Sequence, residues 1–273
     1  MVSLMSEAVQ RIEAETAQAS YSIEVCHLSI GAGDDRVVLH DLDFQVGQGD
    51  VFIIMGPSGC GKSVLMRNLV GLEEPLSGDV FYHGCNFTQA ISEDRRRILS
   101  KLGVLFQSPA LFSSMTLIEN VAFPLGEFTD LNSAEINEIA SFKLALVGLS
   151  GFESYYPNEI SGGMQKRAGL ARAIALDADV LMLDEPAAGL DPITSRLLDD
   201  LLLQLRESLR TTFVVVTHEL SSILSIGDNS ILLDSESRTI IARGNPKELL
   251  AHSQDARVQR FLRRGQWKGR VTS

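Results

Sequence analysis

The stretch Gly56-Pro57-Ser58-Gly59-Cys60-Gly61-Lys62-Ser63 constrains this chain more than any other. An apolar run, Val51-Phe52-Ile53-Ile54-Met55, precedes it, and a helix-compatible run over residues 64–70 follows. Strand, glycine-rich turn and helix, with the spacing G-x-x-x-x-G-K-S, make a P-loop. Its glycines let the backbone close around an anion, so that successive N–H groups point inward. The helix that starts there adds the positive end of its dipole. Gly56, Pro57, Ser58, Gly59, Cys60 and Gly61 form the expected phosphate cradle, Lys62 reaches the β- and γ-phosphates, and the Ser63 hydroxyl holds Mg²⁺. A chance glycine-rich turn is the alternative, and the flanking strand and helix speak against it. The motif alone implies binding of a nucleoside triphosphate.

The 273 residues, 45% of them hydrophobic, suffice for one large α/β domain or for one domain with an inserted lobe. With 24 basic and 35 acidic residues the net charge is −11, which argues against a general nucleic-acid binder. No apolar run approaches the roughly 18 residues that span a bilayer, so a membrane role is expected to be peripheral. Cys26, Cys60 and Cys85 are scattered and odd in number, which suits a reducing cytoplasm, and no Cys/His cluster suggests zinc. Cys60 reads as a tolerated small residue rather than a redox switch. Residues 1–20 are polar and lack the apolar core of a signal peptide; they read as a leader, frayed or disordered.

Residues 23–44 read as two short strands around a turn at Gly31-Ala32-Gly33-Asp34-Asp35. A strand edge at Val80-Phe81-Tyr82 and a charged helix over 92–100 follow the P-loop helix; Arg95, Arg96 and Arg97 read as a solvated face. Gly103-Val104-Leu105-Phe106 is a short strand ending at Gln107, and helices over 117–125 and 133–148 belong to a helical lobe spanning 108–160. Val180-Leu181-Met182-Leu183, apolar on both faces, reads as a central parallel strand. A helix over 195–208, a buried strand over 212–217 and a hairpin over 230–242 complete the domain. Strands alternating with helices give an α/β fold with a mostly parallel, doubly wound sheet, whose ligands sit at the C-terminal strand edges. The P-loop, Gln107, Asp184, Glu185 and His218 all fall just past such edges.

Asp184 after an apolar strand suits Mg²⁺ coordination, its alternative being a helix cap. Glu185 is the candidate general base for the attacking water. His218 is placed to hydrogen-bond the γ-phosphate and to hold the water and Glu185 in line. Gln107 taken alone is equally a common strand-ending glutamine.

Ser161-Gly162-Gly163-Met164-Gln165, followed by Lys166-Arg167 and Ala168-Gly169-Leu170-Ala171-Arg172-Ala173, resembles the signature motif of ABC-type ATPases. The likeness runs over about residues 23–245: P-loop, Gln107 as the Q-loop, signature, 180–185 as Walker B, Gly189-Leu190-Asp191 as the D-loop, and His218 as the switch histidine. It implies a P-loop NTPase fold of ABC type, with an N-terminal antiparallel β subdomain and an inserted helical lobe. It also implies hydrolysis of ATP with Mg²⁺ between two cassettes, the signature of one facing the P-loop of the other. Ser161, Gly162 and Gly163 would then offer a second anion site at a helix start, and Asp191 would join the nucleotide-binding set. Gln107 would serve both catalysis and the metal, beside Ser63 and Asp184. Half of each site would lie on another copy, an isologous homodimer.

A narrower likeness joins Leu105-Phe106-Gln107-Ser108, Ala110-Leu111-Phe112, Glu119-Asn120-Val121-Ala122-Phe123-Pro124-Leu125, Asp191-Pro192-Ile193-Thr194 and Arg257-Val258-Gln259-Arg260-Phe261-Leu262. Together they resemble the ATPase subunit of Mla-type phospholipid transporters. The resemblance implies a peripheral place on the cytoplasmic face of a bacterial inner membrane, an integral membrane permease and an MCE-domain lipid-binding protein as partners, and a role in outer-membrane lipid asymmetry. A permease helix would dock beside residues 106–112. The domain organisation expected is a leader over 1–20, an ABC ATPase domain over 21–250 and a basic extension over 251–273, whose tail from Arg257 also carries Trp267. That tail reads either as a solvated helix end or as a segment facing a partner or membrane.

Ile160 stands where the signature usually has Leu, Met164 where it usually has Gln, and Ala188 where the D-loop often has Ser. No aromatic residue falls in the Gly31 to Arg36 turn, where many cassettes stack the adenine, so GTP is expected to be hydrolysed as well as ATP. Two other function classes compete. A soluble ABC ATPase for DNA repair or translation usually needs two cassettes or a coiled-coil insertion, whereas here only 53 residues separate Gln107 from Ser161. The ATPase subunit of an importer for a small polar solute differs mainly in its lobe and tail sequence.

Overall fold

The computed structural model describes residues 21–32 and 36–263. The leader, the tip of the first turn and the tail beyond residue 263, Trp267 included, lie outside the described residues. Two sheets organise the chain. The first is antiparallel, in the order β2-β1-β4-β5, with β1 at Tyr21–Ala32, β2 at Arg36–Gly47, β4 at Ser77–Tyr82 and β5 at Cys85–Asn86. The strands β1 and β2 are 12 residues each, longer than the sequence suggests, because irregularities in their pairing let the ribbon continue past breaks in the apolar alternation.

The second sheet runs β10-β9-β3-β8-β7-β6. β3 (Val51–Met55), β6 (Leu102–Leu105), β7 (Val180–Asp184), β8 (Thr212–Thr217) and β9 (Asn229–Asp234) are parallel, and β10 (Thr239–Arg243) closes the edge antiparallel to β9. Every residue of β3, β7 and β8 is buried. Their period of two divides them between two cores: Val51, Ile53 and Met55 face one, Phe52 and Ile54 the other. The Phe52 side packs against the antiparallel sheet and α1 (Lys62–Leu69), with Phe44 and Phe52 stacked at 5.5 Å. Most of the other helices cover the opposite face.

Within 108–160 lie α3 (Leu117–Phe128) and α4 (Ser133–Leu146), which pack on each other and on α5 (Gly162–Ala173). Reciprocal capping boxes, Thr116 with Glu119 and Asn132 with Glu135, start α3 and α4. α3 runs through Pro124 to Phe128, past the end expected at 125. The helix after β7, α6 (Pro192–Leu209), starts earlier than expected because Asp191 caps it and Pro192 occupies its first position. In α2 (Ser92–Leu99), Arg95 is not simply solvated: its guanidinium lies 4.6 Å from the Phe87 ring centroid. After α7 (Leu220–Ile226) and α8 (Pro246–His252) comes α9 (Ala256–Leu262), whose Val258, Phe261 and Leu262 are buried in the main core. Arg257 on this helix pairs with Asp255 and Asp234.

Candidate active site

β3, β7 and β8 end side by side, and the turns after them supply the site. The P-loop turns from β3 into α1 through Gly61, whose φ of 103° belongs to glycine. A Cβ there would sit 2.8 Å from Val38 Cγ1, and one on Gly56 would sit 2.8 Å from the Leu233 carbonyl oxygen. The loop is thus moulded to its neighbours on the outside. Gly59, by contrast, has open space where its side chain would be. Cys60 is buried, and desolvation pushes its thiol up, away from the reactive thiolate.

The Lys62 ammonium donates to the carbonyls of Gly56 (2.9 Å) and Pro57 (3.2 Å) and stands 3.9 Å from Glu185 Oε1. Ser63 Oγ donates to Asp184 Oδ1 at 3.3 Å. Burial pushes the Asp184 carboxyl up, and the Ser63 hydrogen bond opposes this. A hydroxyl and a carboxylate at that separation form a hard-oxygen donor pair, the chemistry that Mg²⁺ takes.

Glu185 follows β7 with φ 46°, a left-handed conformation that costs a non-glycine residue about 1–3 kcal/mol. Its N–H donates to the Val216 carbonyl at 2.8 Å, which fixes the turn to β8. Its carboxylate is held at both oxygens: Oε1 lies 2.7 Å from His218 Nδ1, and Oε2 accepts from Thr217 Oγ1 at 3.3 Å. A carboxylate oxygen only accepts, so Nδ1 is the donor of this bond. Lys62, Ser63, Gln107, Glu185 and His218 line one cleft of about 680 Å³. Residues 36–38 on β2, with Ser235 and Arg238 from the turn between β9 and β10, also line it. Tyr21 lines a different cleft.

Ser161 caps α5, accepting from Met164 N at 3.3 Å. It lies with Gly163 in a separate cleft of about 570 Å³ between the end of α4 and α6. Asp191 is occupied as the cap of α6, accepting from the N–H groups of Ile193 and Thr194 at 3.0 and 3.1 Å; the Thr194 hydrogen bonds hold its carboxyl below the usual range. One chain therefore assembles the P-loop, Gln107, Asp184, Glu185 and His218, and leaves Ser161, Gly163 and Asp191 outside that cleft. Sequence reasoning missed Thr217, whose hydroxyl at the end of a buried strand was the available signal, and Val37, Val38, Ser235 and Arg238 in the cleft lining.

The family model described as ABC transporter matches residues 39–188. The chain belongs to the ABC transporter family. It is 41% identical over 241 residues to the intermembrane phospholipid transport system ATP-binding protein MlaF of Haemophilus influenzae, covering 88% of this chain and 90% of that one. It is 39% identical over 252 residues to the probable ribonucleotide transport ATP-binding protein mkl of Mycobacterium tuberculosis, covering 92% and 69%. Among solved structures, cbiO1 of Clostridium perfringens, part of the ABC transporter complex cbiONQ, superposes with TM-score 0.78 at 27% identity, over 90% of this chain and 97% of that one. The dimeric post-hydrolysis state of the ATP-binding cassette MJ0796 bound to ADP and Pi gives 0.74 at 27% identity, over 82% and 98%. The expected fold and activity class hold: this is an ABC ATPase, with the mixed sheet and antiparallel N-terminal sheet of that fold.

Proposed function

We propose that this ABC ATPase energises a membrane transporter that moves phospholipids. The observation that carries the reading is the 41% identity to MlaF along 90% of that protein's length. The lobe over 108–160 would meet an integral membrane permease, and an MCE-domain lipid-binding protein would complete the assembly at the cytoplasmic face of a bacterial inner membrane. No helix among the described residues is long and apolar enough to cross a membrane, in keeping with a peripheral subunit.

In the proposed mechanism the P-loop amides and Lys62 hold the triphosphate, Lys62 exchanging its carbonyl partners for phosphate oxygens. Ser63, Asp184 and Gln107 would hold Mg²⁺, which neutralises charge on the phosphates. Glu185 takes a proton from water as its oxygen attacks the γ-phosphorus, and the bond to the β–γ bridging oxygen breaks. His218, through Nδ1, keeps the Glu185 carboxylate aimed. Because Ser161 and Gly163 face a separate cleft of the same chain, a second copy would bring them to the γ-phosphate, with its Asp191 beside them. The dimeric cassette with ADP and Pi supports that arrangement.

The test is isolation of tagged Glu185→Gln protein with ATP from gently solubilised native membranes, followed by mass spectrometry of bound proteins and lipids. A permease with an MCE-domain protein and phospholipid is the expected result. A permease with a solute-binding protein would move the reading to a polar-solute importer, the direction in which the mkl likeness points.

A further inference from the structure

Lys166 lies one turn into α5, the helix that Ser161 caps, and is only 7% exposed. Among the described residues no carboxylate pairs directly with its ammonium. Instead Nζ donates to the carbonyls of Ala188 (2.5 Å) and Glu185 (3.4 Å), the two ends of the turn between Walker B and the D-loop. Burying a cation with carbonyl partners alone is costly, and an apolar side chain would fill the same space. Glu219 and Glu185 are the acids whose fields oppose the burial that pulls this ammonium down.

The turn it grips carries the left-handed Glu185. The Glu185 carbonyl also accepts from Ala188 N at 3.1 Å, and Leu190 N donates to Ala187 O at 3.1 Å. His218 and Thr217 thus hold the Glu185 carboxylate while Lys166 holds its backbone carbonyl. Gly163, three residues before Lys166 on the same helix face, touches the same region: a Cβ there would lie 3.0 Å from Thr194 Cγ2 and 3.7 Å from Leu190 Cδ2. The Lys166 hydrogen bonds therefore tie the start of the signature helix directly to the turn that leads into the D-loop, and the backbone at Gly163 runs close beside Leu190 and Thr194.

We infer that Lys166 is a positioning residue, which locks the Glu185–Ala188 turn to the signature helix so that engagement of Ser161–Gly163 by nucleotide sets the placement of Glu185. The inference rests on the proposed role of Glu185 as the base, and it makes Lys166 act through that residue without touching the nucleotide.

The experiment compares full-length wild type, Lys166→Met and Lys166→Arg in steady-state ATP hydrolysis, equilibrium binding of a fluorescent ADP analogue and amide hydrogen exchange. Lys166→Met should lose at least fivefold in kcat while the nucleotide Kd stays within twofold. Amides of 187–191 should exchange faster, with those of 58–63 unchanged. Lys166→Arg, which keeps cationic donors, should restore most of kcat. A kcat loss under fivefold, a Kd change as large as the kcat change, unchanged exchange over 187–191, or no recovery with Arg overturns the inference. If Lys166→Met does not fold, Lys166→Gln carries the test, with wild-type kcat and exchange as the refuting result. Glu185→Gln is measured alongside. Undiminished turnover there would sink the role of Glu185, while the exchange measurement still decides whether Lys166 holds the turn.

Discussion

Replacing Glu185 with Gln keeps the shape of the site and removes its base. Gln retains an oxygen for His218 Nδ1, 2.7 Å away, and its NH₂ group can donate to Thr217 Oγ1 in place of the bond that hydroxyl gave the carboxylate, so the turn at φ 46° has no new reason to relax. What disappears is the proton acceptor, a contribution of about 10²–10⁴ in rate, or about 3–5 kcal/mol of barrier. The effect on binding has the opposite sign. Lys62 Nζ stands 3.9 Å from Glu185 Oε1, a separation at which unit charges attract by about 4 kcal/mol at an effective dielectric constant near 20. The neutral amide frees Lys62 for phosphate and removes an anion from beside the triphosphate. Nucleotide affinity should therefore be equal or higher, and ATP should hold the variant as a dimer. Phosphate-release kinetics, equilibrium nucleotide binding and sedimentation with ATP measure the three quantities. A variant turning over within tenfold of wild type would refute the assignment of Glu185, and weaker binding would refute the electrostatic argument about Lys62.

Further outcomes follow from other parts of the structure. Ser161→Ala removes the cap of α5 and should cost about 1 kcal/mol of stability; if Ser161 also serves the nucleotide of a second copy, ATP-driven dimerisation measured by light scattering should weaken beyond that loss. Asn120 is fully buried and accepts from Phe112 N at 2.7 Å while donating to the carbonyls of Phe112, Met115 and Thr116. Asn120→Ala should destabilise the lobe by about 2–4 kcal/mol by orphaning these groups, seen as faster proteolysis over 108–130 with nucleotide binding retained. Asp199 is buried on α6, and desolvation raises its carboxyl while the hydrogen bond from Ser225 Oγ at 3.3 Å opposes this. The native state thus holds that proton more tightly than the unfolded chain. Its contribution to stability is present below the ordinary carboxylate range and is lost as pH rises through the raised value. Asp199→Asn should therefore raise Tm more at pH 7.5 than at pH 4. With Tyr21 in another cleft and only aliphatic and guanidinium groups of 36–38 and Arg238 in this lining, base stacking would discriminate little, and GTP should compete with ATP within about tenfold. Nucleotide competition by hydrolysis rate checks it.

The sequence made legible whatever depends on neighbours along the chain. The P-loop is contiguous, and the strands before it, before Asp184 and before His218 are buried on both faces, so their interiors are apolar runs. Boundaries were less legible where a distant partner decides them. α3 continues through Pro124 because its buried face has α4 and α5 to pack against, and β1 and β2 outrun their alternation because they pair with each other. The tail illustrates the same point: Arg257 and Arg260 read as a basic extension, yet α9 turns Val258, Phe261 and Leu262 into the core.

By itself the sequence determined the phosphate cradle, the order of the motifs and the apolar strands that carry them, since local backbone geometry and a period of two suffice for these. Only the tertiary structure decided that Lys62, Ser63, Gln107, Asp184, Glu185, Thr217 and His218 meet at adjacent strand ends while Ser161 and Asp191 stand apart. It alone turned Lys166 inward onto the carbonyls of Glu185 and Ala188. Side-chain partners separated by 19 to more than a hundred residues are set by how the sheet stacks its strands and helices, a choice made by packing across the core.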